Sequence, residues 1–179
     1  MMKRYEAIQL HPVFLGHVKR MTCLEKDRVF CRHDLSHFLD VARLMRIYDL
    51  EEKKDLGCDL IYGAALIHDL GRVEQYEEGR PHDEASCELA YKILPECGYS
   101  SEEIALITYA VAGHRSAGEA KEALIGPEAE ISSEEPSPEA ALLRAYLKRA
   151  DKKSRPCFLC PAREECHWPE EKKNERMEL

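Results

Sequence analysis

The stretch Leu60-Ile61-Tyr62-Gly63-Ala64-Ala65-Leu66-Ile67, followed at once by His68-Asp69, decides how this chain folds. The run carries no charge and is apolar on every side, which predicts the second half of a helix buried at the centre of the protein. An imidazole and a carboxylate at the buried end of such a helix are costly unless a metal ion or a proton-transfer partner satisfies them. We therefore expect a bound group at His68 and Asp69.

Helical periodicity recurs on both sides of this run, and no convincing period-2 strand pattern occurs, so we predict an all-α fold. Pro12 is expected to separate a short opening helix from one that ends near residue 26. The other predicted helices span about 35–48, 51–69, 83–94, 100–112 and 137–151.

Several predicted helices begin at a residue that can cap them. Asp34, Asp83 and Ser137 are placed to accept hydrogen bonds from the first helical turn. Ser100 with Glu103 has the spacing of a capping box. Between these helices, the composition of residues 116–135 predicts a mobile surface loop.

Length and charge limit the classes of protein to be considered. At 179 residues the chain fits one domain, and it has neither an apolar run long enough for a membrane span nor a recognisable signal peptide, so we expect a cytoplasmic protein. The net charge of -8 and the pI near 5.5 make a polynucleotide an unlikely partner.

Three segments carry a resemblance to a known family: HFLDVARL from His37, ALIHDLGR around His68-Asp69, and ADKKSR around Asp151. Their order resembles the signature of the HD-domain superfamily of metal-dependent phosphohydrolases. The resemblance implies a single all-α helical bundle over residues 1–155. Residues 156–179 would then be a short Cys-rich tail packed on the same domain.

The same resemblance implies a ligand set. One metal would be bound by His37, His68, Asp69 and Asp151, with Asp69 able to bridge to a second metal. The second-metal histidines would be His82 and His114. Nitrogen and oxygen ligands of this kind favour Fe or Mn, allow Zn, Co or Ni, and disfavour Ca. His33, four residues before His37, is expected to contact the substrate or a ligand.

The implied chemistry is hydrolysis of a phosphomonoester, phosphodiester or pyrophosphate. Two metals can share a water and lower its pKa, and Asp69 or a nearby histidine can accept a proton. Arg72, three residues after Asp69, is expected to clamp a phosphate oxygen and stabilise the charge of the transition state. The further phosphate-binding candidates are Arg115, Lys152 and Arg155.

Absent motifs narrow the substrate. The segment HDLGRVEQY lacks the Glu-Asp doublet typical of alarmone hydrolases, and the chain has no GYP motif of cyclic dinucleotide phosphodiesterases. The layout resembles small bacterial HD proteins, some of which act on nucleotides or dinucleoside polyphosphates. We therefore expect a small phosphorylated, nucleotide-like substrate.

A second cluster of candidate ligands lies in the tail, where Cys157, Cys160 and Cys166 have the spacing C-x2-C-x5-C. This spacing resembles both the last three cysteines of the iron-sulfur loop in some DNA glycosylases and zinc knuckles. A fourth ligand is then needed, and either Cys31 or His167 can supply it. Spacing alone does not choose between an iron-sulfur cluster and zinc.

Two other functions stay open. The six implied ligands can also support a di-iron oxygenase. Alternatively, the cysteine cluster could report metal or redox status in a sensor without enzymatic activity.

Overall fold

The computed structural model describes residues 2–112 and 136–177. Among these residues it contains α-helices and short 3-10 turns but no strand, which confirms the all-α prediction. The helices are α1 (Arg4–Leu10), α2 (Pro12–Leu24), α3 (Leu35–Glu51), α4 (Cys58–Ile67), α5 (Arg72–Glu78), α6 (His82–Ile93), α7 (Ser101–Ala112) and α8 (Pro138–Lys153). The predicted loop at residues 116–135 lies outside the described residues.

Helix α4 is central, as its apolar sequence predicts. It packs against α1, α3, α6, α7 and α8. Every residue from Gly63 to Ile67 is buried, and each fully buried Leu or Ile contributes about 1.5 to 3 kcal/mol to the driving force for folding. The buried end of α4 therefore holds His68 and Asp69 at a fixed place in the core.

Most predicted helix starts are confirmed. The side chain of Asp34 accepts a hydrogen bond from the backbone N–H of His37, and Ser137 caps α8 in the same way through Ala140. The capping box of Ser100 and Glu103 is present in both directions, at 2.9 and 3.3 Å.

Two predicted boundaries are wrong. The helix expected from Glu51 to Asp69 begins only at Cys58, because the preceding segment turns through residues with positive φ, including Lys53, Asp55 and Gly57. Asp83 is not a cap, because α6 begins one residue earlier, at His82. Asp83 therefore lies within the first turn of this helix. Helix α5 was not expected at all.

The C-terminal segment contacts the helical body. The side-chain amide of Asn174 donates hydrogen bonds to the carbonyl oxygens of Lys152 and Arg155, at 2.8 and 2.7 Å. The guanidinium of Arg155 lies 5.0 Å from the centre of the Trp168 ring. None of the described helices is both long and apolar enough to cross a lipid bilayer.

Candidate metal centre

The pair His68-Asp69 lies where α4 ends. His68 is the C-cap residue, directly after Ile67, and its Nδ1 contacts the carbonyl oxygen of Ala65 at 2.7 Å. Because a carbonyl can only accept, Nδ1 carries the proton and Nε2 is left with a lone pair. Asp69 follows in the turn between α4 and α5, and both side chains are at most 1% exposed.

His37 comes from the first turn of α3. Its Nδ1 lies 3.3 Å from the hydroxyl of Ser154, which donates to the carbonyl oxygen of Asp151 at 2.8 Å. The hydroxyl therefore accepts from Nδ1, and this again leaves Nε2 as a lone pair. That atom is buried and has no hydrogen bond among the described residues. It faces Oδ2 of Asp69 at 3.7 Å and Oδ1 of Asp151 at 3.5 Å.

Four predicted ligands meet at one point. One ligand atom from each of His37, His68, Asp69 and Asp151 lies within 4.8 Å of all the others. Ligands about 2.1 Å from one metal ion are roughly 3.0 to 3.4 Å apart. The distances of 3.5 to 3.7 Å between these nitrogens and carboxylate oxygens are too long for good hydrogen bonds and close to that spacing. The donor set fits a divalent transition metal.

The second carboxylate oxygen of Asp69 faces His82. Nε2 of His82 lies 3.1 Å from Oδ1 of Asp69, and its Nδ1 lies 3.0 Å from the amide oxygen of Gln75. Since the amide oxygen accepts from Nδ1, only a second proton or a metal ion makes the short contact between Nε2 and the carboxylate favourable. His82 is fully buried at the start of α6. His114, the other predicted second-metal ligand, lies outside the described residues.

His33 also points toward Asp69. Its Nε2 is 3.7 Å from Oδ2 of Asp69, and its Nδ1 is 2.6 Å from Glu25. Burial alone would raise the pKa of Glu25, but hydrogen bonds from His33 and Tyr76 lower it to about 2. Burial lowers the pKa of His33 although Glu25 opposes this. The Glu25 carboxylate thus holds the His33 ring in place through its Nδ1.

Arg72, three residues after Asp69, forms an ion pair with it. Nε of Arg72 lies 3.0 Å from Oδ2 of Asp69. Burial would raise the pKa of Asp69, but Arg72 and the surrounding histidines hold it well below its usual range. Asp69 is thus a carboxylate, the protonation state that a metal ligand needs.

A basic cavity of about 320 Å³ opens beside these ligands. Asp151 and His33 line it, and Asp151 is the only acidic residue in its wall among the described residues. The cations in the wall are Arg28, Arg72, Lys152, Arg155, Arg163 and Lys173. In a chain of net charge -8, this concentration of positive charge makes the cavity a candidate site for an anion. Arg115 lies outside the described residues.

The predicted ligands of the cysteine cluster also lie around the basic cavity. Cys31, Cys157, Cys160 and Cys166 line it, and so does His167. Burial raises the pKa of the Cys31 thiol, Arg155 lowers it, and the neighbouring Cys157 and Cys160 raise it further. No three thiols of the described residues form a group within the 4.8 Å that relates the four His and Asp ligands.

Sequence reasoning missed the residues that orient the imidazoles. Glu25, Ser154 and Gln75 accept hydrogen bonds from His33, His37 and His82 respectively. Only Ser154 falls within a segment that resembles the family, three residues after Asp151.

The chain is similar in sequence to known proteins. The chain is 38% identical over 173 residues to an uncharacterized protein of Clostridium beijerinckii, with 97% of each chain covered. It is 28% identical over 121 residues to Ribonuclease Y 1 of Pediococcus pentosaceus, a match that covers 66% of this chain and 21% of the ribonuclease. No solved structure matches the chain significantly.

The sequence model of the HD-domain family matches residues 34–155 of this chain. This part of the chain includes all four grouped candidate ligands. This chain belongs to the HD-domain family.

Proposed function

We propose that this protein is a metal-dependent phosphohydrolase that acts on a small, nucleotide-like phosphate compound. HD domains bind divalent metals and are generally hydrolases. The observation that carries the proposal is that Asp151 belongs both to the group of four ligands and to the wall of the basic cavity. A phosphate bound by the cations of the cavity would therefore lie next to the metal.

In this proposal His37, His68, Asp69 and Asp151 hold one metal ion, with Fe or Mn favoured over Zn, Co or Ni. His82, together with His114 and the second oxygen of Asp69, would hold another. The contact of 3.1 Å between His82 and Asp69 supports this arrangement. A bound metal would supply a water of lowered pKa and a Lewis acid for a phosphoryl oxygen.

Arg72 and Asp69 act as a pair at the reacting phosphate. Arg72 contacts Asp69 and also lines the basic cavity, so its guanidinium reaches both the ligand and the substrate site. There it stabilises the negative charge that grows on the phosphoryl oxygens in the transition state. It also keeps Asp69 ionised, so that this carboxylate can bind a metal.

The rest of the cavity fits a nucleotide. Lys152 and Arg155 would bind further phosphate oxygens, and His33 would contact the phosphate nearest Asp69. Phe30 and Trp168 offer aromatic faces on which a base can stack. The cavity volume of about 320 Å³ is in the range of small-molecule sites.

The likeness to part of a ribonuclease Y makes RNA a second candidate substrate. Against it stands the net charge of -8, since a polynucleotide needs an extended basic surface rather than one basic cavity.

We also propose that residues 156–179 are a tail of the same domain, because Asn174 and Trp168 contact the end of α8 and Arg155 just after it.

Phosphate release tests the proposal. The purified protein is incubated with nucleoside mono-, di- and triphosphates, dinucleoside polyphosphates, simple phosphoesters and a short oligoribonucleotide, each with Mn, Fe, Co, Ni, Zn or Mg. We expect release from at least one nucleotide and a loss of about 100-fold or more in Asp69→Asn. Arg72→Gln is expected to lower kcat by about 100- to 1000-fold, the loss typical of one electrostatic transition-state contact.

Arg43→Gln, which removes an exposed cation on α3, is the matched control and keeps full activity. If the oligoribonucleotide is the only compound cleaved, the substrate is RNA and not a small nucleotide-like compound. Oxygen consumption with iron and no phosphate release from any pairing would favour the di-iron oxygenase. If neither activity occurs, the protein is not an enzyme of either class and the sensor hypothesis gains support.

A further inference from the structure

Four of the eight cysteines converge from two distant parts of the chain. Cys31 lies in the segment between α2 and α3, and the other three follow α8. All four line the basic cavity. Cys31, Cys157 and Cys160 also line a second cavity, of about 740 Å³. These three cysteines thus border both cavities.

The convergence is selective and is not explained by disulfide bonds. All eight cysteines are free, and the four that converge are each half-buried. Of the others, Cys87 and Cys97 are buried in the core, Cys23 is exposed on α2, and Cys58 begins α4. Four half-buried thiols around one space offer a set of soft ligands that needs a cation to neutralise it when the thiols ionise.

The thiols are not arranged as a preformed site for a single zinc ion. A single zinc ion with a bond of about 2.3 Å to each sulfur holds its thiolates about 3.8 Å apart. Among the described residues, no three thiols lie together within 4.8 Å. An iron-sulfur cube spaces its cysteine sulfurs more widely, because each thiolate binds a different iron atom.

We propose that Cys31, Cys157, Cys160 and Cys166 ligate a [4Fe–4S] cluster in the wall of the basic cavity. A cube with four thiolate ligands carries net negative charge, and cations in the same wall offset it. Arg28 is fixed beside Cys31 by a hydrogen bond of 2.7 Å from its Nε to the carbonyl oxygen of that residue. Arg155 and Arg163 line the same cavity.

Such a cluster would clamp the tail to the segment that carries Cys31. That segment also carries His33, and the tail follows Asp151 and Ser154 directly. The cluster would therefore hold together the two chain segments that form one side of the basic cavity. His167, whose ring contacts Phe30 edge-on at 6.3 Å, packs at the same place without serving as a ligand.

The test is reconstitution of the full chain with iron and sulfide without oxygen, followed by assays of iron and acid-labile sulfide. We expect about four sulfides per chain and a broad visible absorption that bleaches on reduction. Cys31→Ala and Cys157→Ala are expected to lose at least three quarters of the sulfide. Cys58→Ala, which removes another half-buried cysteine, and His167→Ala should retain it.

Sulfide separates this cluster from iron at the HD site, which binds none, so the result does not depend on phosphohydrolase activity. Wild-type protein that takes up no sulfide overturns the proposal, whether or not the variants fold. One cysteine-dependent zinc per chain also overturns it. Retention of sulfide in Cys31→Ala together with loss in His167→Ala would refute the assigned ligands. The clamp predicts faster tryptic cleavage of the tail in Cys31→Ala than in Cys58→Ala, and equal rates would contradict it.

Discussion

Each histidine of the candidate metal centre is oriented by a different kind of acceptor. Nδ1 of His68 donates to a backbone carbonyl, and Nδ1 of His37 donates to a serine hydroxyl. Nδ1 of His33 donates to a carboxylate, and Nδ1 of His82 donates to an amide oxygen. In all four rings the other nitrogen faces Asp69. Fixing Nδ1 in this way sets the tautomer and the direction of the ligand atom before any metal arrives.

Replacing Glu25 by Gln should reduce the dependence of stability on pH. The pKa of Glu25 is about 2 in the folded protein, below its ordinary value of 4.5. A carboxyl whose pKa is lowered by folding stabilises the protein above its unfolded pKa, and this contribution disappears as the pH falls through the folded pKa. We expect the free energy of unfolding of the wild type to fall more steeply than that of Glu25→Gln between about pH 5 and pH 2.

Urea unfolding at a series of pH values measures this difference. Glu51→Gln, which removes an exposed carboxylate at the end of α3, is the control and should follow the wild type. Parallel curves for wild type and Glu25→Gln would show that the contact with His33 does not stabilise the fold.

The sequence predicts the four candidate ligands but not the groups that orient them. His37, His68, Asp69 and Asp151 were predicted from a family signature, and their ligand atoms meet. Glu25 and Gln75 could not be predicted, because a carboxylate, an amide, a hydroxyl or a carbonyl can all accept from Nδ1. No single residue type marks such a position, and only the fold brings Glu25 to His33 eight residues later.

At the scale of elements, the break before α4 shows where the periodicity of apolar residues fails to predict a helix boundary. The apolar pattern predicted one helix from Glu51 to Asp69, whereas α3 continues through Glu51 and α4 begins at Cys58. No proline marks the break. It depends on tertiary contacts, including a hydrogen bond of 2.9 Å from the backbone N–H of Leu56 to the buried Asp49.

The turn between α4 and α5 packs against α6 without room for a side chain at Gly71. A Cβ there would lie 2.5 Å from the carbonyl oxygen of His82 and from the backbone N of Ser86. We expect Gly71→Ala to lower the free energy of unfolding by about 1 to 3 kcal/mol or more, because overpacking forces the backbone to move. Since His82 belongs to the crowded segment, metal affinity should fall as well.

Chemical denaturation and metal titration measure the two effects. Gly16→Ala is the control, because a Cβ at this position in α2 meets no heavy atom within 4 Å. Replacement of glycine by alanine inside a helix should raise stability there by about 0.5 to 1 kcal/mol. Wild-type stability in Gly71→Ala would mean that α5 and α6 can separate at little cost.

At the scale of the whole molecule, the candidate metal ligands come from elements that are far apart in the chain. His37 lies in α3, His68 and Asp69 at the end of α4, and Asp151 in α8. A metal ion that binds all of them only in the folded state stabilises the molecule by about 2.7 kcal/mol at a concentration 100 times its Kd. For a chain of this size, that raises the Tm by roughly 5 to 10 °C.

Thermal unfolding of chelator-treated protein, with and without added Mn, tests this expectation. Asp151→Asn should lose most of the rise in Tm, whereas Asp40→Asn, an exposed carboxylate on α3, should keep it. A rise of the same size in Asp151→Asn would place the stabilising metal elsewhere.

The position of Trp168 gives the molecule a built-in optical probe. It is the only tryptophan of the chain, it lines the basic cavity, and the Arg155 guanidinium lies 5.0 Å from its ring. The emission of an indole depends on the charges and the solvent next to it. Intrinsic fluorescence of the unlabelled protein should therefore change when an anion displaces water from the cavity, and a coloured cofactor in the same wall should quench it.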